Sequence, residues 1–174
     1  MSYDEAGGKP ISQHRFTVHT VCMFPVQGFL RGGCPHPPTP MLQTYLVEDS
    51  PVIRHSLITT LEELSAVRVV GTAEDEGNAM AWLSDPAHRV DLVIIDIFLK
   101  GGSGLGVLRG IHELALRCHV VVLTNYATED MRQRCLSLGA SRVFDKSNEI
   151  EALIAYCDKL SGDNPDATTP GWLQ

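Results

Sequence analysis

"VDLVIIDIFLKGGSGL", residues 90–105, carries an apolar run straight into a carboxylate. Val93-Ile94-Ile95 is β-branched with no polar alternation, which suits a strand buried on both faces. Asp96 stands where that strand leaves the core, and Ile97, Phe98 and a glycine-rich turn follow. "GGSGLG", residues 101–106, lacks the Gly-Lys-Ser/Thr of a phosphate loop, so it reads as a turn leading tightly into a helix.

The same alternation recurs on either side of this stretch. Leu42–Val47 reads as a strand, and Ser50-Pro51 supplies a helix cap and a first-turn proline. Ile53, Leu57, Ile58, Leu61 and Leu64 then follow at helical spacing. Val67–Ala73 is a second strand and Glu74–Ser84 a short helix, broken by Asp85-Pro86. Asp91–Ile95 is the third strand and Gly104–Arg117 the third helix. "HVVVL", 119–123, is the fourth strand, with a helix over Thr128–Leu138 that stops at Gly139. "RVF", 142–144, is a short fifth strand. Ile150, Leu153, Ile154 and Cys157 mark a last helix. Five strands, each followed by a helix, imply an α/β fold: a doubly wound five-stranded parallel sheet with helices on both faces. Ligands of such sheets bind beyond the carboxyl ends of the strands.

Polar groups collect at those ends. The first strand runs into Glu48-Asp49, the third into Asp96, the fourth into Thr124, and Lys146 follows the fifth. Singly, each has a plain reading as a helix cap, a solvated loop or a snorkelling lysine. Together they would meet on one rim. Three carboxylates converging there repel one another, and a hard divalent cation relieves this. Mg²⁺ favours one or two carboxylates with waters and a phosphoryl oxygen. Asp96 is then a candidate nucleophile, since a carboxylate can accept a phosphoryl group as an acyl phosphate.

These motifs resemble the receiver domain of bacterial two-component response regulators, in its single-domain, flavodoxin-like form. "LVEDS" is similar to the family's first strand with its acidic pair, and "VDLVIIDIFLKGGSGLGVL" to the phosphoacceptor strand and turn, with Gly104 eight residues past the aspartate. "VVVLTNYA" and "GASRVFDKS" resemble the strand ending in Thr or Ser and the short strand before the lysine. The resemblance covers residues 42–160.

It implies that Asp96 is the phosphoacceptor. Asp49 would ligate Mg²⁺ directly, with Glu48 acting through water and the Phe98 carbonyl adding a backbone ligand. Thr124 and Lys146 would bind phosphoryl oxygens. Thr124 and Phe144 would form the switch that reshapes the face of the fourth helix, fifth strand and fifth helix. A histidine kinase or phosphotransfer protein would be the donor. An unidentified protein would receive the output, with self-association or onward phosphotransfer as other routes. With 14 residues after position 160, no DNA-binding output domain is expected.

The pattern departs from the family at three places. Ser147 follows the lysine where proline is common, so a trans peptide bond is expected there. Lys100 stands where many members carry proline, four residues after the aspartate. Asn125, after Thr124, is larger and more polar than usual, which bears on access to Asp96 and on the lifetime of an acyl phosphate. Two rival readings use the same residues. A pseudo-receiver would keep the fold as a protein-interaction adaptor without phosphorylation. A phosphatase of the haloacid dehalogenase type would need a second aspartate two residues past the first, where Phe98 stands.

Composition narrows the remainder. The net charge is −7, and residues 41–160 carry 11 Lys/Arg against 17 Asp/Glu. A polyphosphate or anionic-membrane surface needs clustered Lys and Arg, which this segment lacks. No apolar run approaches the roughly 20 residues that span a bilayer. The N-terminus lacks a secretory pattern, so a cytoplasmic protein is expected. An odd count of five cysteines with no CxxC argues against a disulfide framework. His55, His88, His112 and His119 show no metal-ligand spacing.

Residues 1–40 end in "RGGCPHPPTP" and read as a disordered arm or as the product of an upstream start, with Met41 the working start. His19, Cys22, Cys34 and His36 are zinc-type ligands at irregular spacing. Residues 161–174 read as a loose tail.

Overall fold

The computed structural model describes residues 41–162. The arm, its zinc-type ligands and most of the tail lie outside them. Within this range the elements alternate: β1 (Leu42–Val47), α1 (Pro51–Leu64), β2 (Val67–Ala73), α2 (Glu76–Leu83), β3 (Leu92–Ile95), α3 (Gly104–Glu113), β4 (His119–Thr124), α4 (Glu129–Ser137), β5 (Arg142–Asp145) and α5 (Ile150–Gly162). All strand pairs are parallel, in the order β2-β1-β3-β4-β5. The five-stranded doubly wound sheet is thus the architecture present.

Strand parity builds two cores. On one face Tyr45, Val47, Val93, Ile95, Val120, Val122 and Val143 pack against Ala79 and Leu83 of α2, Val107, Leu108 and Ile111 of α3, and Cys135 of α4. On the other, Leu42, Leu46, Leu92, Ile94, Val121, Leu123 and Phe144 pack against Leu57 and Leu61 of α1 and Leu153 and Cys157 of α5. A strand that feeds two cores has no solvent face, so it shows no polar alternation.

The helix starts follow from their caps. Ser50, Asp75, Ser103 and Thr128 each accept a backbone N–H from the first turn of the helix that follows. Asp75 therefore moves the start of α2 two residues past the expected Glu74, and Thr128 caps α4 instead of joining it. Gly139 takes a φ of 102°, the left-handed stop expected of it.

Two boundaries differ for tertiary reasons. α3 ends at Glu113, not Arg117, because Ala115 adopts a φ of 50° and turns the chain toward β4. A left-handed alanine carries no sequence signal of the kind glycine gives. Asp91 drops out of β3, where its carboxylate accepts the Gln43 N–H at 2.8 Å.

His88 has a structural place: its ring stacks on Trp82, with centroids 4.1 Å apart, and Trp82 stacks on Tyr45 at the same distance. Among the described residues no helix is long and apolar enough to cross a membrane.

Candidate functional site

β1 and β3 are neighbours, yet their following connections diverge, toward β2 on one side and β4 on the other. That divergence opens a crevice at their carboxyl ends. Glu48-Asp49 leaves β1 there and Asp96 leaves β3 there. The Asp96 N–H donates to the Val47 carbonyl at 2.9 Å, which fixes the two exits side by side.

Glu48, Asp96 and Lys146 continue the parity of Leu46, Ile94 and Phe144, the set facing α1 and α5. Lys146 nevertheless starts two strands from Asp96, roughly 10 Å away at ordinary strand spacing. Its long side chain spans the gap. The ammonium donates to Glu48 Oε2 at 2.5 Å and to Asp96 Oδ2 at 2.7 Å. Glu48 is 1% and Asp96 8% exposed, so both carboxylates are buried and rely on that cation. Glu48 Oε1 also accepts the Ser50 N–H, and Asp96 Oδ1 accepts the Phe98 N–H at 3.3 Å.

Asp49 is the outermost of the three acids. Its carboxylate lies 3.8 Å from the ammonium of Lys100, a pairing the sequence did not indicate. Glu48, Asp49 and Asp96 each present an oxygen within 4.8 Å of the others. An all-carboxylate donor set of this kind is hard and fits Mg²⁺ better than a soft transition metal.

Thr124 is fully buried; its Oγ1 accepts the Tyr126 N–H at 3.3 Å and its carbonyl accepts the Lys146 N–H at 3.0 Å. Phe144 is buried in the α1/α5 core with its ring 6.0 Å from that of Tyr156. The Phe98 side chain turns outward and meets Tyr126 edge-on at 5.8 Å. This exposed aromatic pair joins the two loops flanking Asp96, and sequence reading missed it because loop aromatics carry no period.

A second omission lies beside the crevice. "AEDEGN", 73–78, puts Glu74, Asp75 and Glu76 at the carboxyl end of β2, where they line a cleft of about 680 Å³ with Asp49, Lys100, Gly101 and Gly102. The acidic run after a strand was the available signal.

Gly104 closes the site from behind. Its N–H donates to the Ile97 carbonyl at 2.9 Å, and a Cβ there would fall on the Asp96 carbonyl oxygen and 2.8 Å from Ile97 Cα.

A family model described as the response regulator receiver domain matches residues 44–158. The DNA-binding transcriptional activator DevR/DosR of Mycobacterium tuberculosis is 30% identical over 101 residues, covering 58% of this chain and 46% of that protein. The chain spans about half the length of the curated relatives it matches. Among solved structures, the signal receiver domain of the response regulator NarL from Mycobacterium tuberculosis aligns with a TM-score of 0.63 at 19% identity. That alignment covers 71% of this chain and 98% of the solved receiver-domain chain. A LuxR-family two-component response regulator from Aurantimonas sp. SI85-9A1 aligns with a TM-score of 0.62 at 25% identity, covering 72% and 91%.

Proposed function

This chain belongs to the response regulator receiver family, the signalling domain of two-component systems, and on that premise we propose that Asp96 is its phosphoacceptor. The observation that carries the reading is the buried Glu48–Lys146–Asp96 bridge beside Asp49 at the β1/β3 crevice.

In the proposed reaction an Asp96 oxygen attacks the phosphorus of a phosphohistidine on a kinase or phosphotransfer protein. The P–N bond breaks as the new P–O bond forms, and the imidazole leaves with the electron pair and takes up a proton. Glu48, Asp49, Asp96 and the Phe98 carbonyl are the residues suited to hold Mg²⁺, which when bound would offset phosphoryl charge. Lys146, already 2.7 Å from Asp96, is placed to pair with a phosphoryl oxygen. Its neutralising role then passes from two carboxylates to an acyl phosphate, and self-catalysed dephosphorylation is the return step.

Thr124 is the hydroxyl proposed to bind another phosphoryl oxygen. Its movement would draw the β4–α4 loop inward and shift Phe144, biasing a two-state equilibrium of the α4–β5–α5 face. Output by that face to a protein partner, including a second copy, fits the acidic balance of residues 41–160 better than direct DNA contact. In this proposal the exchange takes place in the cytoplasm, and residues 41–160 act as the receiver, with arm and tail outside the chemistry.

The test is incubation of the full chain with acetyl phosphate and Mg²⁺, followed by intact mass. One phosphoryl adduct is expected on the wild type and none on Asp96→Asn. Absence of the adduct from the wild type would favour the pseudo-receiver; an adduct that persists in Asp96→Asn would remove Asp96 from its role.

A further inference from the structure

The loop leaving Asp96, residues 97–103, carries the Phe98 backbone and Lys100 past the carboxylates. The Gly104 N–H to Ile97 carbonyl bond closes its base. Its tip is tied to the start of α2. The Glu76 N–H donates to the Gly101 carbonyl at 2.9 Å, Asp75 and Gly101 form an isolated parallel bridge, and Glu76 Oε2 accepts the Ser103 N–H at 2.8 Å. Ser103 Oγ in turn caps α3 by accepting the Leu105 N–H. The Glu76 carboxylate lies directly over two glycines: a Cβ at Gly102 would come 2.5 Å from its Cβ and Oε2, and a Cβ at Gly106 would overlap the carboxylate itself.

We propose that Glu76 is a positioning residue: its carboxylate clamps the tip of the 97–103 loop against α2 and so holds the Phe98 backbone where a divalent cation at Asp49 and Asp96 is bound. This deepens the receiver reading and rests on it for the cation. A loop with Lys100 in place of a φ-restricting proline needs another restraint. A clamp at base and tip supplies one by removing backbone freedom that would otherwise be lost on metal binding. Gly106 is part of the device, because only a residue without a side chain admits the carboxylate at the first turn of α3.

The clamp differs from a simple charge effect of Glu76 on the cation. A glutamine can still accept the Ser103 N–H through its amide oxygen, whereas alanine cannot. Amide hydrogen exchange over residues 101–105 and Mg²⁺ titration by amide chemical shifts, on the full chain, separate the two. Glu76→Ala is expected to speed exchange at Ser103 and weaken Mg²⁺ on the order of tenfold, the usual scale for losing a group that orients a ligand. Glu76→Gln is expected to stay near wild type in both. Gly106→Ala is expected to act like Glu76→Ala by displacing the carboxylate, and to add nothing in the double variant Glu76→Ala/Gly106→Ala.

Equal weakening of Mg²⁺ by Gln and Ala with Ser103 exchange unchanged would overturn the clamp, as would additive effects of the two alanines. A wild type that takes up neither Mg²⁺ nor phosphoryl would sink the receiver reading and the metal half of the proposal with it. Exchange at Ser103 would then decide the clamp alone.

Discussion

Lys146 is the residue on which most of the site's electrostatics converge, since one ammonium answers two buried carboxylates. Removing one partner from such an arrangement leaves charge without solvent or counter-ion. Lys146→Met is expected to cost about 3–5 kcal/mol in urea unfolding without added metal. Added Mg²⁺ should return part of the loss by binding the folded state alone. Gly104 works through space instead of charge. The atoms a Cβ would strike belong to the backbone of Asp96 and Ile97, which cannot rotate aside. Gly104→Ala is expected to destabilise by about 3 kcal/mol, the upper part of the range for overpacking, measured by the same unfolding curve. The resemblance already pointed to Gly104, but its physical reason, contact with the Asp96 carbonyl, is visible only in the fold.

At the scale of elements, Arg132 joins three of them. From α4 its guanidinium donates to the Ala127 carbonyl at 3.1 Å, the Val143 carbonyl at 2.5 Å and Glu149 Oε2 at 2.6 Å. Glu149 Oε2 also accepts the Asp145 N–H at 2.7 Å, so the β4–α4 loop, β5 and the start of α5 share one network. The Arg132 hydrogen bond, with the Asp145 N–H second, holds the Glu149 carboxyl below its ordinary 4.5. A lowered carboxylate pKa adds stability that is present above the ordinary value and is lost as pH falls through the folded one. About a third of the Glu149 side chain is exposed, so solvent screens the pair and the effect is small. Glu149→Gln is expected to flatten the fall in urea midpoint as pH drops below the ordinary carboxylate value of 4.5. The helix and strand pattern placed α4, β5 and α5 correctly. It did not reveal this network, because an arginine on a helix face reads as a solvated charge until a neighbouring carbonyl is known.

For the molecule as a whole, the two cores make the sheet the rigid body that carries the crevice. Leu153 is fully buried where α5 covers β1 and β5's face, and Leu153→Ala is expected to cost about 2–5 kcal/mol in chemical denaturation. Cys135 and Cys157 are also fully buried, one in each core. Burial, with Asp158 adding to it, pushes the Cys157 thiol up to about 12, and burial raises Cys135 as well. Neither is expected to react with a thiol reagent at neutral pH until denaturant opens the cores, as peptide mass mapping of the labelled chain would read. Rapid labelling of either in the native state would mean the helix packing opens far more often than a core of this kind allows.

Sequence alone settled what is local. Period, caps and glycine stops laid out ten elements in order, and the ends of the apolar runs put Glu48, Asp49, Asp96, Thr124 and Lys146 at strand exits. A residue's place along a strand follows from its immediate neighbours. Tertiary structure decided which of these groups touch: Lys146 reaches partners 50 and 98 residues away, and Lys100 turns to Asp49. It also brought Glu76 over Gly106 and Arg132 onto Val143. Such meetings depend on strand order and on how helices seat against the sheet, which arise from the packing of all the elements together and leave no mark in any single stretch of chain.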